Sequence, residues 1–159
     1  MDSQRSILEP CERKPVARKV EESGSAYRLQ EQVGFILRRA SQRHVAIFAS
    51  RISDLTPPQF ATLVELYEGG EISQNQLGSQ VAMDAATIKG VIGRLAARKL
   101  VSLSNHPTDG RRLTVHLTDK GRQLVEKLIP LAKQITDLTL APLTAREAAT
   151  FLKLLAKIS

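Results

Sequence analysis

Two groups of residues in this 159-residue chain combine types and spacings suited to holding anions. The first is Ala86, Thr87, Lys89, Gly90, Gly93 and Arg94, followed by Asp109, Arg111 and Arg112. If Ile88, Val91, Ile92 and Leu95 form the inward face of a helix, the opposite strip is Ala86, Gly90, Gly93 and Ala97, flanked by Thr87, Lys89 and Arg94. An interior Gly costs a helix about 1 kcal/mol relative to Ala. Two on the outward side are either tolerated or mark a surface that something approaches closely. A groove wall of duplex DNA fits the second reading, with Lys89 and Arg94 reaching phosphates or base edges and Thr87 a thymine methyl or a phosphate. Arg112 reads as a phosphate contact in preference to a solvent-facing strand charge, and His106 as a loop residue.

The second group is Arg38, Arg39, Arg43, His44 and Phe48, with Gln59 and Phe60 as an opposite wall. An aromatic carboxylate needs a bidentate cation, a ring-stacking surface and a polar partner, and this set contains all three. The other reading of His44, which sits among Ala40, Ile47 and Phe48, is a satisfied core or dimer-interface histidine.

Catalysis finds no support, because no nucleophile–base pair, paired carboxylates or phosphate-cradling Gly loop occurs at a working spacing. The lone Cys11 cannot form an internal disulfide, and His44, His106 and His116 lack metal-ligand spacing, so neither metal nor cofactor is expected. Cys11 as a redox sensor lacks a fixed cation or resolving Cys nearby. A hydrophobic content of 42% with 25% charged residues places the chain in the globular class, and no apolar run is long enough for a membrane span. With no apolar signal segment at the N-terminus, a cytoplasmic protein is expected.

The net charge of +7 is unevenly spread. Residues 52–83 hold Asp54, Glu65, Glu68 and Glu71 and no Lys or Arg. Residues 84–122 hold Lys89, Arg94, Arg98, Lys99, Arg111, Arg112, Lys120 and Arg122 against Asp84, Asp109 and Asp119. A further excess lies in Arg28, Arg38, Arg39, Arg43 and Arg51 against Glu31. Concentrated in this way, the charge points to a polyanionic partner, duplex DNA first.

These residues need elements to position them. Val33, Ile36, Leu37, Ala40, His44, Ile47 and Phe48 recur at helical steps and predict a first helix over about 27–50. Thr56 before Pro57 opens a second helix, carrying Phe60, Leu63, Val64 and Tyr67, which Gly69 and Gly70 stop. Ser73 with Gln76 is a capping-box pattern for a third over about 73–80, and Asp84 caps a fourth over about 85–98. Helices joined by Val81, Ala82 and Met83 and followed by a strand predict a helix-turn-helix. Residues 100–103 and 113–117 predict a β-hairpin with a basic tip. Thr118 caps a long helix whose Leu124, Leu128, Leu131, Ile135 and Leu138 approach a heptad seam, with Pro130 expected to interrupt and kink it. Thr144 with Glu147 opens a last helix with Phe151, Leu152, Leu155 and Ile158 inward. Residues 1–25 read as a flexible arm.

In order, Thr87, Ile88, Arg94, Leu95, Lys99, Leu100, Val101, Asp109, Gly110, Arg111, Arg112, Leu117, Thr118, Asp119, Lys120 and Gly121 resemble the MarR-type winged-helix transcription regulators over about residues 27–158. The resemblance implies a mainly α fold with a small β-hairpin wing, that is, a winged helix-turn-helix with interlocking dimerisation helices. It divides the chain into an arm at 1–25 and one domain at 26–159, with dimerisation helices at 26–50 and 119–159 and a DNA-binding lobe at 56–118. It further implies a homodimer on double-stranded DNA, a fourth helix in the major groove, and a wing whose Asp109 fixes Arg111 for the minor groove. A small-molecule pocket between the lobe and the dimer helices is implied too. The chain departs from the family pattern at Ser102, where Arg is usual, and at Lys99, where Gly is usual. These departures bear on a phosphate contact and on a left-handed helix end. The stretch Tyr27 to His44 is similar to the subgroup that represses nicotinate-degradation operons, which implies a hydroxylated nicotinic acid such as 6-hydroxynicotinic acid as inducer. The competing class is a winged-helix module whose basic face binds an acidic protein, and salt dependence with competition by duplex DNA separates the two.

Overall fold

A computed structural model describes residues 27–106 and 109–159, with the backbone alone at 106 and 109–112. The arm at 1–25, with Cys11, lies outside the described residues. A 3-10 turn at Leu29–Glu31 precedes α1 (Val33–Arg51), so the first helix begins later than its periodicity predicts. Then follow α2 (Pro57–Gly69), β1 (Ile72–Ser73), α3 (Gln74–Gln80), α4 (Ala85–Ala97), β2 (Val101–His106), β3 (Asp109–Leu117), α5 (Asp119–Leu140) and α6 (Ala145–Leu155).

Cap chemistry sets most of the helix starts. Thr56 Oγ1 accepts from the Gln59 N–H at 3.4 Å while Gln59 Oε1 accepts from the Thr56 N–H at 3.0 Å, a complete capping box. Thr144 and Glu147 repeat it on α6. At α3 only half of the expected box forms, because Ser73 Oγ accepts the Gln76 N–H but donates its own proton to Gln76 Oε1 at 2.7 Å. Thr118 Oγ1 accepts from the Gly121 N–H at 3.1 Å and starts α5.

The hairpin strands lie in an antiparallel sheet of order β1-β3-β2, with Ile72 opposite Val115 and Val101 opposite Leu117. The two-residue β1 carries too little pattern to be seen in sequence. Leu63, Leu66, Leu77, Ile88, Leu95, Val115 and Val125 meet in the core, each at most 1% exposed. α5 closes one side of it. Its Leu124, Leu128 and Leu131 pack on the same core, so much of the seam faces the rest of this chain. α5 also runs through Pro130 as one helix, with the ring exposed.

The junction of lobe and α5 is tight. Thr118 Oγ1 donates to the Lys99 carbonyl at 2.8 Å, and a Cβ at Gly121 would collide with the Leu100 carbonyl oxygen. Lys99 itself has φ +59°, so the left-handed helix end is kept although Gly is absent. The outer helices differ. Only Phe48 of α1 is buried and nothing of α6, so the α6 face expected to point inward is left largely open by the described residues.

Candidate nucleic-acid interface and adjoining cavity

α3 and α4 cross closely because Gly78 permits it. A Cβ there would lie 3.1 Å from both Ile88 Cγ2 and the Met83 carbonyl oxygen. The turn between them is fixed by the Met83 N–H donating to the Gly78 carbonyl at 2.8 Å, with Ala82 at φ +52°. Sequence reasoning passed over Gly78, whose only signal is a glycine inside a helical pattern. Asp84 then caps α4, its Oδ1 accepting from the Thr87 N–H at 2.7 Å. Hydrogen bonds from the Thr87 backbone and hydroxyl hold the Asp84 carboxyl below its ordinary value.

With Ile88, Val91, Ile92 and Leu95 buried, α4 presents Ala86, Thr87, Lys89, Gly93 and Arg94 to solvent. Gly93 has open space where a Cβ would stand. Gly90 is half-covered, because the Arg94 guanidinium folds back to 3.5 Å from its would-be Cβ. This strip and the hairpin belong to one lobe, tied together as β2 continues from the end of α4. Asp109, Arg111 and Arg112 stand at the start of β3, and their side chains lie outside the described residues. At the hairpin root, Ser102 faces His116 across the strands with Oγ 2.6 Å from Nε2, so the residue that replaces the family's Arg is engaged within the sheet.

The second predicted group does not come together. A cavity of about 370 Å³ lies between α1, α5 and α6, walled by Leu37, His44, Thr139, Leu140, Phe151 and Leu155 among others. Of the predicted residues only His44 lines it, with Nδ1 3.0 Å from Thr139 Oγ1. The Arg43 guanidinium spans the carbonyls of Leu138, at 2.9 Å, and Thr139, and so caps the end of α5. Arg39 lies over the Phe35 ring at 5.9 Å, and Arg38 is exposed. Phe48 is packed edge-on against Phe60, with ring centroids 5.8 Å apart, and Gln59 is spent on the cap of α2. Leu37 and Ala40 line it from α1 beside His44, but Leu140, Phe151, Leu152 and Leu155 come from about 100 positions away, and no local spacing announces them. Among the described residues no cluster of metal-ligand type occurs and no helix is long and apolar enough to cross a membrane.

A helix-turn-helix with a hairpin wing and a basic exposed helix has the architecture of a DNA-binding transcription regulator. A model of the MarR family matches residues 53–112. The HTH-type transcriptional repressor NicR of Pseudomonas putida is 46% identical over 134 residues, which is 83% of this chain and 85% of that protein. The structure of BpsR from Bordetella bronchiseptica, described for regulation of its DNA binding by 6-hydroxynicotinic acid, is 46% identical with TM-score 0.81 over 84% of this chain and 97% of that one. A mutant MarR of E. coli in complex with operator DNA matches at 25% identity and TM-score 0.74, over 79% and 91% of the two chains. The chain belongs to the MarR family, and within it is similar to NicR and BpsR.

Proposed function

We propose that the chain is a homodimeric repressor that reads a pseudo-palindromic operator and releases it on binding a small aromatic carboxylate, in first place a hydroxylated nicotinic acid. Control of nicotinate-degradation genes follows from that choice of effector. The observation that carries the reading is the extended similarity to BpsR, whose DNA binding is regulated by 6-hydroxynicotinic acid. Residues 56–118 serve as the DNA-binding lobe, and 26–50 with 119–159 as the dimerisation helices. Ala86, Thr87, Lys89, Gly90, Gly93 and Arg94 meet the major groove, Arg111 held by Asp109 enters the minor groove, and Arg112 takes a phosphate.

The outer helices support the dimer. An 11-residue helix with no buried residue is not stable in water by itself, and Phe151, Leu152 and Leu154 of α6 are 40–55% exposed on the protomer. A second copy covers them together with Val33, Ile36 and Leu37 of α1. The cavity beside His44 has room for a single substituted ring. Thr139 engages Nδ1, which leaves Nε2 for the ring hydroxyl or nitrogen, while Phe151 supplies a ring surface. A carboxylate at the mouth pairs with Arg38, Arg39 or Arg43. Pairing with Arg43 withdraws its guanidinium from the end of α5, a contact difference of the kind that shifts an equilibrium between two lobe arrangements.

The test is a titration of 6-hydroxynicotinate, nicotinate, salicylate and benzoate against a preformed complex with an operator selected from random duplexes. 6-Hydroxynicotinate is expected to dissociate the complex at the lowest concentration, and His44→Ala to weaken that response without weakening operator binding. If none of the four dissociates it, or the His44→Ala response is unchanged, the effector reading fails while the winged helix stands.

A further inference from the structure

Opposite the capped start of α4, a cavity of about 240 Å³ opens between the chain leaving that helix and the first turns of α5. Lys120, Gln123, Leu124 and Lys127 line it from one face of α5, at helical spacings of three, four and seven, and Arg98 and Leu100 complete it. No carboxylate is in the lining. Asp119 and Glu126 adjoin Lys120 and Lys127 in sequence, but neither lines the cavity, and Glu126 instead accepts from the Tyr67 hydroxyl at 3.5 Å.

Two of the three cations here are held by backbone carbonyls. Arg98 Nη1 donates to the Asp54 carbonyl at 2.5 Å, and Lys120 Nζ donates to the Arg98 carbonyl at 3.0 Å. Carbonyls orient a cation without cancelling its charge, and the ion pair found among the described residues, Arg28 with Glu31, belongs to the other end of the chain. The N-terminal end of α5 adds its partial positive charge. Three cations, an amide and an apolar backing therefore surround a concave space whose lining contains no carboxylate. That space opens past the C-terminal end of the reading strip: Arg98 lies one turn, about 6 Å along the helix at the usual 1.5 Å per residue, beyond Arg94.

We propose that this cavity binds a compact oxyanion of two negative charges, such as phosphate or a small dicarboxylate. Lys127 and Gln123 hold it from α5, and Arg98 offers a fork suited to two oxygens. The volume takes such an ion with a few waters and is too small for an oligonucleotide. An anion there competes with the Asp54 and Arg98 carbonyls for Arg98 and Lys120. Those two bonds tie the end of α4 to the turn after α1 and to α5, so occupancy slackens the tie between the DNA-binding lobe and its flanking helices.

The test is an amide-resolved NMR titration of the full chain with sodium phosphate and with sodium malonate, against sodium chloride at matched ionic strength. Saturable shifts are expected at Arg98, Leu100, Lys120, Gln123 and Lys127 with at least one of the two dianions, and the one that saturates identifies the tetrahedral or the dicarboxylate source. Lys127→Ala should weaken that binding about tenfold, the loss of one charge-assisted contact. Gln123→Glu, which sets a carboxylate into the cavity, should abolish it, and both positions are exposed, so thermal midpoints should hold. Shifts equal to those with chloride, shifts confined to residues 85–94 and the hairpin, or undiminished binding by Gln123→Glu would each overturn the proposal. So would a Lys127→Ala protein whose operator binding loses about one unit of salt slope, since Lys127 would then be a DNA phosphate contact.

Discussion

The winged lobe and the helices that flank it are built on opposite terms. In the lobe, Leu63, Leu77, Ile88, Leu95 and Val115 are closed off by one another without help from a second molecule. In α1 and α6 most large apolar residues other than the buried Phe48 stay open, from Phe151 at 40% to Val33 at 66% exposed. α5 belongs to both regions, since Val125 and Ile135 turn into the protomer while Leu138 near its end is 37% exposed. The lobe's sequence thus specifies an intramolecular core, and the outer helices carry an apolar surface that the other described residues leave open.

The junction between the two regions should be the most sensitive point. Gly121→Ala forces a methyl against the Leu100 carbonyl oxygen, where backbone rather than a flexible side chain must give way. A loss of roughly 3 kcal/mol or more is expected in denaturant unfolding, and a loss below about 1 kcal/mol would mean that lobe and α5 are only loosely joined. Next in size are effects on the lobe's function alone. Arg111→Ala should weaken operator binding by roughly 1–3 kcal/mol, whereas Arg112→Ala should mainly lower the salt slope by about one unit. If neither substitution changes binding, the hairpin is not a wing on DNA.

Two substitutions, one within α4 and one just past its end, form an opposed pair. Lys99→Gly relieves a left-handed residue and should stabilise the fold by about 1 kcal/mol with operator binding unchanged. Gly90→Ala should stabilise the helix by about 1 kcal/mol as well, but it places a methyl on the reading strip beneath the Arg94 guanidinium, so binding should fall. Equal binding by both variants would show that the exposed strip is not closely approached.

The smallest effect is expected with acid. The Thr144 backbone and hydroxyl lower the Glu147 carboxyl from its ordinary 4.5, and Thr87 lowers Asp84 from 3.8. A carboxyl lowered on folding stabilises fully above its ordinary value, and that contribution fades as pH falls through the lowered one. The Asp84 cap of α4 and the Glu147 half of the α6 capping box should therefore both weaken as the solution becomes acidic, readable from amide exchange at the two helix starts. Glu147→Gln should remove the trend at α6 and leave the one at α4.

Local chemistry made much of the fold legible. Thr56, Asp84, Thr118 and Thr144 each act on an amide three residues away, so their roles can be read from a short window. Features that depend on distant partners could not be read in this way. β1 exists because Ile72 and Ser73 meet Val115 and Thr114, and Gly121 matters because of Leu100. The exposed strip of α4 follows from its inward face and was visible. The cavity beside His44 was not, since Thr139 and Phe151 reach it from the other end of the chain, and Arg43 proved to be occupied by carbonyls that no spacing reveals.

Sedimentation velocity of the full chain at micromolar concentration tests most directly the claim that the outer helices need a second copy. The account predicts one species at twice the chain's 17.5 kDa, with helical content intact. A well-folded monomer of 17.5 kDa with α6 protected from exchange would contradict it, and the two-half-site operator would go with it.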